Sequence, residues 1–264
     1  MTHRGKVRKN NEDAFVGVRF DALEVQYLGK LGEGGLETRD YVFAVSDGMG
    51  GAAAGEFASK ITVEKITELL PPAFKRSAAG LSSGFSDVLD ELFTEVHRAL
   101  VYLGSAYQEC SGMGATLSLC WFTPDWLYWA HVGDTRIYYF PAKEGGIKQV
   151  TQDDTHVAWL LREGKIGQFE AKNHPMKSSL QRALGAGHQF VDPQIGSVGF
   201  EPGDRFLICS DGLWDEVFEN DLRRALEGNA IDGNPCEVLV EAAIRGGGKD
   251  NITALAVEVV DPRG

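Results

Sequence analysis

RFLICSDGLWD, residues 205–215, carries four consecutive apolar residues, Phe206 to Cys209, straight into an aspartate and a glycine. An apolar run without alternation is expected of a strand buried on both faces. Asp-Gly is also a common turn signal, so taken alone the stretch fits an ordinary tight turn. A second copy shifts the balance. YVFAVSDGMGG, residues 41–51, has the same layout, with an apolar strand through Val45 followed by Ser46, Asp47 and Gly48.

Further strand-like runs occupy residues 13–20, 116–122, 126–132, 135–140, 195–199 and 252–260, rich in Val, Ile, Tyr, Trp and Phe and bounded by Gly, Asp or Pro. Between them lie two adjacent helical patterns. Phe57, Ile61, Ile66 and Leu69 share one face, expected to end at Pro71 and Pro72; Leu89, Leu92, Phe93, Val96, Leu100 and Leu103 form a second apolar stripe. Residues 75–83 are expected as the loop between them. Near the end, ENDLRRALEG runs to a Gly stop, and NPCEVLVEAAIRGGG opens with Asn234 as N-cap, Pro235 at N1 and Glu237 at N3, a capping-box arrangement. Strands grouped with strands and helices paired with helices favour an α+β sandwich of sheets flanked by helices over alternating βα units.

The 264 residues, 43% hydrophobic and 24% charged, suit one large domain or two small ones. No Pro-rich, Ser-rich or charge-block linker divides them, so one domain over residues 1–264 is expected. The formal net charge of −12 argues against a protein that grips nucleic acid or an anionic membrane through a basic surface. No stretch reaches membrane-spanning length, and the first residues lack the apolar segment of a signal peptide. The four cysteines show no CxxC spacing and fit reduced core thiols, so a cytoplasmic protein is expected.

Four acidic residues stand where a strand gives way to a turn. Asp47 and Asp211 follow strands, Asp134 interrupts two strand-like runs in AHVGDTRIYYF, and Asp250 precedes one in GGKDNITALAVEVV. Each has glycine beside it or close by, which lets backbone approach a bound ion. Buried carboxylates without an obvious Lys or Arg run ask for cations. All-oxygen donors suit hard ions such as Mg²⁺ or Mn²⁺; the His and Cys residues lack zinc spacing, and no EF-hand loop is present. Two such ions would lower the pKa of a shared water for attack on phosphorus.

GKVRKNNEDAF, residues 5–15, adds Arg8 four residues before Glu12 and five before Asp13, a fork fit for phosphate beside carboxylates that orient water. A mixed basic and acidic tip also fits plain solvated surface. Other nucleophiles find no motif: there is no phosphate-binding G-x-x-x-x-G-K-[ST] loop and no thiol-phosphatase pairing of Cys and Arg. His131, in a strand pattern, fits a satisfied core residue better than a ligand, while His156 and His174 border residues 164–180. That segment follows a helical stretch, 155–163, and shows neither helical nor strand period; it fits a functional flap or an ordinary surface loop.

Taken in order, Gly5-x-x-Arg8-x-x-Asn11-Glu12-Asp13, Ser46-Asp47-Gly48-Met49-Gly50-Gly51 with Gly55 and Ala58-Ser59, Gly114-x-Thr116, Gly133-Asp134-Thr135-Arg136, Ser210-Asp211-Gly212-Leu213-Trp214-Asp215 and Asp250-Asn251-Ile252-Thr253 resemble the metal-dependent protein phosphatases of type 2C in their bacterial form. The resemblance implies two antiparallel sheets packed as a central sandwich with helices on both outer faces, in four layers, α-β-β-α. It implies a site for two Mn²⁺ or Mg²⁺ ions at one end. Asp47 would bridge both ions, the Gly48 carbonyl would bind one, and Asp211 and Asp250 would hold the other. Glu12 and Asp13 would act through water or behind the ligands, and Arg8 would bind the substrate phosphate. Asp134 would join Asp211 at a third, weaker site, with residues 164–180 as the flap beside it.

Two departures stand out. Animal relatives carry a His, a proposed general acid, where this chain has Met49; a thioether has no proton to give, so the leaving group must be protonated by water or another group. Asp154 stands where bacterial relatives commonly place His. The chain also begins four residues before Gly5, so the family's first short edge strand is expected to be missing or cut short. The function implied is hydrolysis of phosphoserine and phosphothreonine in proteins, targets of a Ser/Thr kinase, by a monomer. The alternatives are a catalytically silent phosphoprotein sensor of the same fold and a metal-dependent phosphodiesterase.

Overall fold

The structure, a computed structural model, describes residues 1–21, 23–37, 39–78, 84–124, 126–227 and 234–261. Each strand-like run of the sequence is a strand. β2 (Asp13–Phe20), β4 (Asp40–Met49), β6 (Leu117–Phe122), β7 (Trp126–Val132) and β11 (Gln194–Gly199) belong to one sheet; β8 (Arg136–Phe140), β12 (Arg205–Cys209) and β13 (Ile252–Glu258) belong to another. Five strands of two or three residues extend them, too short for a period to show in sequence: β1 (Thr2–His3), β3 (Val25–Tyr27), β5 (Gly114–Ala115), β9 (Lys148–Gln149) and β10 (Leu184–Gly185). The larger sheet runs β10-β5-β4-β6-β7-β11 with β2 also on β4 and β3 on β2, and the smaller runs β1-β13-β12-β8-β9. All pairings are antiparallel. Thr2 pairs with Thr253 and His3 with Ile252, so an edge strand does precede Gly5, in two-residue form.

The apolar run of RFLIC follows from what covers it. Phe206 and Ile208 face the larger sheet and pack with Val45, Cys120, Phe122, Leu127, Ile137 and Leu255. Leu207 and Cys209 face the other way, into a cluster with Leu222, Leu239, Val240 and Ala243. Successive side chains of a strand point to opposite faces, so a strand sandwiched on both sides must be apolar at every position. Each fully buried side chain of this size contributes roughly 1.5–3 kcal/mol.

The second cluster is closed by α6 (Glu219–Glu227) and α7 (Pro235–Gly246) together with the single turn α5 (Asp211–Trp214). On the outer face of the larger sheet, α1 (Ala52–Ala78) and α2 (Phe85–Ala106) bury Ile66, Leu70, Leu89, Phe93, Val96 and Leu100 against Val42, Ala44, Leu119 and Trp121. The layers are therefore α-β-β-α, as expected. Asn234 caps α7 by accepting from Cys236 N at 3.0 Å. The expected Gly228 stop of α6 lies outside the described residues.

Two boundaries differ from expectation. α1 passes through Pro71 and Pro72 and runs to Ala78, so residues 75–78 are helical; residues 79–83 of the expected loop lie outside the described residues. A proline deprives only the turn before it of donors, and its own φ is helical, so the next turn keeps its bonds. Within residues 164–180 a short helix, α4 (Gln168–Lys172), follows α3 (His156–Arg162); five residues are too few to show a period. Cys110, Cys120, Cys209 and Cys236 are all buried and free. Among the described residues no helix is long and apolar enough to cross a membrane.

Candidate metal centre

The face of each strand that looks between the sheets turns from apolar to oxygen-bearing at one end of the sandwich. On β4, Val45 looks inward and Asp47, two residues on, shares its face; on β2, Phe15 is followed in the same way by Asp13. On the facing sheet Ile208 gives way to Ser210 and Leu255 to Thr253. Asp13 and Asp47 are cross-strand partners. Asp13 Oδ2 accepts from Ser210 Oγ at 2.7 Å and from Thr253 Oγ1 at 2.6 Å, so one carboxylate ties the two sheets together. Ser210 Oγ in turn accepts from Thr253 N at 2.9 Å. These hydroxyls sit in the SDG and DNIT motifs, yet no role for them was read from sequence; their inward strand parity was the available signal.

The carboxylates are crowded and short of donors. Asp13 Oδ1 and Asp211 Oδ1 are buried with no hydrogen-bond partner. Burial, then the charges of Asp13, Asp211, Asp134 and Asp250, hold the Asp47 carboxyl well above the usual carboxylate range. Asp211 is raised in the same way, by burial and then by Asp134, Asp250 and Asp13. Burial lifts Asp13 to about 6 against the opposing pull of the Thr253 and Ser210 hydroxyls, and lifts Asp134 to about 7 with help from Asp153. Like charges in a dry site favour the neutral form unless a cation intervenes.

Glycine beside these aspartates serves close packing of backbone. A Cβ on Gly48 would stand 1.9 Å from Gly55 O, and one on Gly212 would stand 2.0 Å from Asn251 O. Gly48 N donates to Glu12 O at 3.1 Å, and Glu12 N to Asn251 Oδ1 at 2.7 Å, which brings the N-terminal motif against the SDG and DNIT turns. The Glu12 carboxyl, half-buried, is raised by burial, with Arg8 opposing. Arg8 is not bare surface: its Nη2 contacts Asp250 Oδ2 at 2.6 Å, with nearly half of its side chain exposed. That bond, more than any other influence, raises the guanidinium further.

Asp134 is buried, and its carbonyl accepts from Trp214 Nε1 at 3.0 Å. His131 is a satisfied core residue, with Nε2 on Gly133 O at 3.0 Å and Nδ1 on Ser118 Oγ at 2.9 Å; burial lowers its pKa. Asp154 accepts from Gly133 N at 3.1 Å and donates its own N–H to Gly133 O at 2.7 Å, bracing the turn that carries Asp134. Residues 164–180 lie beside the site: Lys177 and Ser178 line one cleft with Asp211 and Asp250. Lys177 is paired with Asp215, and Lys172 lies 3.9 Å from the Phe218 ring centroid. His156 stacks on Trp159 within α3, and inside the segment His174 Nδ1 accepts from Met176 N.

The donor set fits a hard divalent cation: all-oxygen, anionic, with two buried carboxylate oxygens lacking any donor. Among the described residues no three His, Cys, Asp or Glu side chains are already closed to single-ion spacing. Mutual repulsion and the Arg8 pairing of Asp250 both oppose that closure.

A family model described as protein phosphatase 2C matches residues 32–230. That range holds Asp47, Asp134 and Asp211, whereas Arg8, Glu12, Asp13 and Asp250 fall outside it. Over 262 residues the chain is 34% identical to the serine/threonine protein phosphatase PstP of Mycobacterium tuberculosis, covering 98% of this chain and 44% of PstP, so it spans less than half the length of that relative. It is also 34% identical to the serine/threonine phosphatase stp of Listeria monocytogenes, covering 97% of this chain and 93% of that one. A crystal structure of the PstP catalytic domain in complex with two manganese ions superposes with a TM-score of 0.78 at 31% identity, covering 99% of this chain and 96% of the other.

Proposed function

The chain belongs to the protein phosphatase 2C family, and from that premise we propose that it is a metal-dependent protein serine/threonine phosphatase. The observation that carries this reading is the convergence of Asp13, Asp47 and Asp211 at one end of the sandwich, with two of their oxygens buried and without donors. In this reading Asp47, the Gly48 carbonyl, Asp211 and Asp250 would hold two Mn²⁺ or Mg²⁺ ions, and Asp134 with Asp211 would hold a weaker third. When bound, such ions supply a lowered pKa to a water that they share and offset the charge of the phosphate.

The chain's own groups do the rest. Asp13, clamped by Ser210 and Thr253, is a fixed anion behind Asp47, and Glu12 stands where it can orient water. Arg8 exchanges one anion for another, leaving Asp250 for two oxygens of the substrate phosphate. A thiol nucleophile is disfavoured, because all four cysteines are buried and burial raises the Cys120, Cys209 and Cys236 thiols. Direct attack by water, without a phosphoenzyme, is therefore the proposed route. With Met49 in place of a proton donor, the leaving group takes its proton from water.

Residues 1–264 act in this reading as one catalytic domain, monomeric and cytoplasmic, with residues 164–180 as flap. The substrates are proteins phosphorylated on serine or threonine by a kinase. The net charge of −12 supports phosphoproteins over nucleic-acid diesters. The test compares phosphate release from a phosphoserine peptide, an aryl monoester and an aryl diester with Mn²⁺, alongside trapping of labelled enzyme. Monoester turnover without label is expected. Diester preference, a covalent intermediate, or no turnover at all would each overturn the corresponding part.

A further inference from the structure

We infer that Trp214 is a positioning residue that fixes Asp134 relative to Asp211 and thereby sets the affinity of the weaker third ion; this rests on the metal assignment proposed above. The two carboxylates belong to separate strand ends. Asp134 lies just before β8 and Asp211 just after β12, whose pairing places Arg136 opposite Cys209. Asp154 braces the Asp134 end at Gly133, and Asp211 opens the single turn α5, but neither of these contacts fixes one carboxylate relative to the other.

Trp214 spans the gap. It stands one helical turn after Asp211, and its indole N–H donates to the Asp134 carbonyl at 3.0 Å. The ring is itself held: the Arg136 guanidinium lies 3.5 Å from its centroid. That guanidinium is locked in turn, donating through Nε and Nη2 to Asp153 at 2.9 and 2.6 Å and through Nη1 to Tyr138 Oη at 2.9 Å. Asp153 is buried and precedes Asp154, whose carboxylate braces Gly133. A path of fixed contacts thus runs from Asp211 through Trp214 to Asp134, and from Arg136 through Asp153 back to the same turn. A buried Arg–Asp pair adds little net stability, so its value here is the orientation that it enforces. The planar guanidinium stacks on an indole in a way that an ammonium cannot.

Mn²⁺ binding to the intact chain, counted by electron paramagnetic resonance of the free ion, tests this. Three proteins are compared: wild type, Asp134→Asn and Trp214→Phe, which keeps a ring for Arg136 but removes the N–H. Wild type is expected to show a tight pair and a weaker ion, and Asp134→Asn only the tight pair. Trp214→Phe is expected to keep the tight pair while the weaker dissociation constant rises roughly five-fold, the change that loss of one net hydrogen bond produces. A melting temperature in EDTA lowered by only about 2–4 °C, the cost of that one hydrogen bond, would accompany the rise, whereas general loosening of the fold would lower it further and weaken the tight pair as well.

If Asp134→Asn keeps the weaker ion, the third-site assignment fails and the inference with it. If Asp134→Asn loses that ion but Trp214→Phe binds it as wild type does, only the role of Trp214 fails. Should Trp214→Phe not fold, tryptophan emission of wild type decides: Mn²⁺ quenching that follows the weaker isotherm, and is absent in Asp134→Asn, is expected. Emission flat across that isotherm would overturn the inference.

Discussion

Asp13 and Asp47 stand opposite each other on adjacent antiparallel strands, both with carboxyl groups raised by burial. With Asp134 at about 7 and Asp211 also raised, the folded apoprotein retains protons that the unfolded chain gives up above about pH 4. A group whose folded pKa is raised contributes stability that is fully present below its unfolded pKa and is lost as pH climbs through the folded value. Urea unfolding in EDTA should therefore show these four groups withdrawing stability, on the order of a few kcal/mol, between about pH 4 and pH 8. Mn²⁺ should reverse the trend, because the ion competes with those protons and stabilises more as pH rises. An apoprotein that gains stability steadily from about pH 5 to pH 8 would contradict the electrostatics of the site.

Asp211→Asn carries two opposite signs. It removes a carboxyl that burial and neighbouring acids make costly to ionise and that has an oxygen without a donor, so in EDTA the variant should match or exceed wild-type stability. With Mn²⁺ it should lose most of the metal-induced rise in melting temperature, and phosphopeptide turnover should fall at least about a hundred-fold. Scanning calorimetry with and without metal, paired with a phosphate-release assay, separates these effects. Near-normal turnover would remove Asp211 from the ligand set.

Thr253→Val deletes one of the two hydroxyls on Asp13 Oδ2 without changing the shape of the side chain. The remaining partner is Ser210 Oγ, which also accepts the backbone N–H of residue 253. Loss of a bond to a buried carboxyl should cost about 1.5–3 kcal/mol at pH values where Asp13 is ionised, and less below about pH 5 where it is protonated. Equilibrium denaturation of the variant at both pH values measures the difference. An equal loss at both would mean that the hydroxyl serves packing rather than the charge.

Arg8→Ala tests the phosphate role against the ion pair. The pair with Asp250 is half exposed and screened, so its removal should change stability by under about 1 kcal/mol. Loss of a charge-assisted contact to substrate should raise KM for a phosphopeptide roughly ten-fold or more. Steady-state kinetics should show KM moving more than kcat; a fall confined to kcat would assign Arg8 to the reacting step instead.

Much of the sandwich could be read in the chain because strands covered on both faces have no polar positions, as RFLIC illustrates. The ends of those strands were legible as well: aspartate before glycine marks Asp47 and Asp211, and the packing of Gly48 and Gly212 on neighbouring backbone explains the glycines. Partnerships made across the fold were not. Nothing in the spacing of Asp13, Ser210 and Thr253 says that they meet, since |i−j| exceeds 190 for both bonds. Trp214 reads as one more apolar residue until its indole N–H is seen on Asp134 O. Pro71 and Pro72 misled because their effect falls on the preceding turn, whereas α1 continues after them.

Lys177→Ala bears on what residues 164–180 do. The base of this segment is fixed by the Thr155 and Leu180 bridge, by His156 N on Ser179 O at 3.1 Å and by Gln181 N on Asp154 O at 2.7 Å. Its side toward the cleft is held by the pairing of Lys177 with Asp215, four residues after Asp211. In the function proposed above a small aryl phosphate would need only the carboxylates and Arg8, while a phosphopeptide would also lay its flanking residues along that side of the cleft. Releasing Lys177 should therefore alter KM for the peptide by about three- to five-fold, within the range for one partly exposed charge contact, and leave the aryl substrate within about two-fold of wild type. Parallel kinetics with the two substrates at one Mn²⁺ concentration provide the measurement. Equal shifts for both would place the influence of Lys177 on Asp211 and the chemistry itself, and would remove the segment from substrate selection.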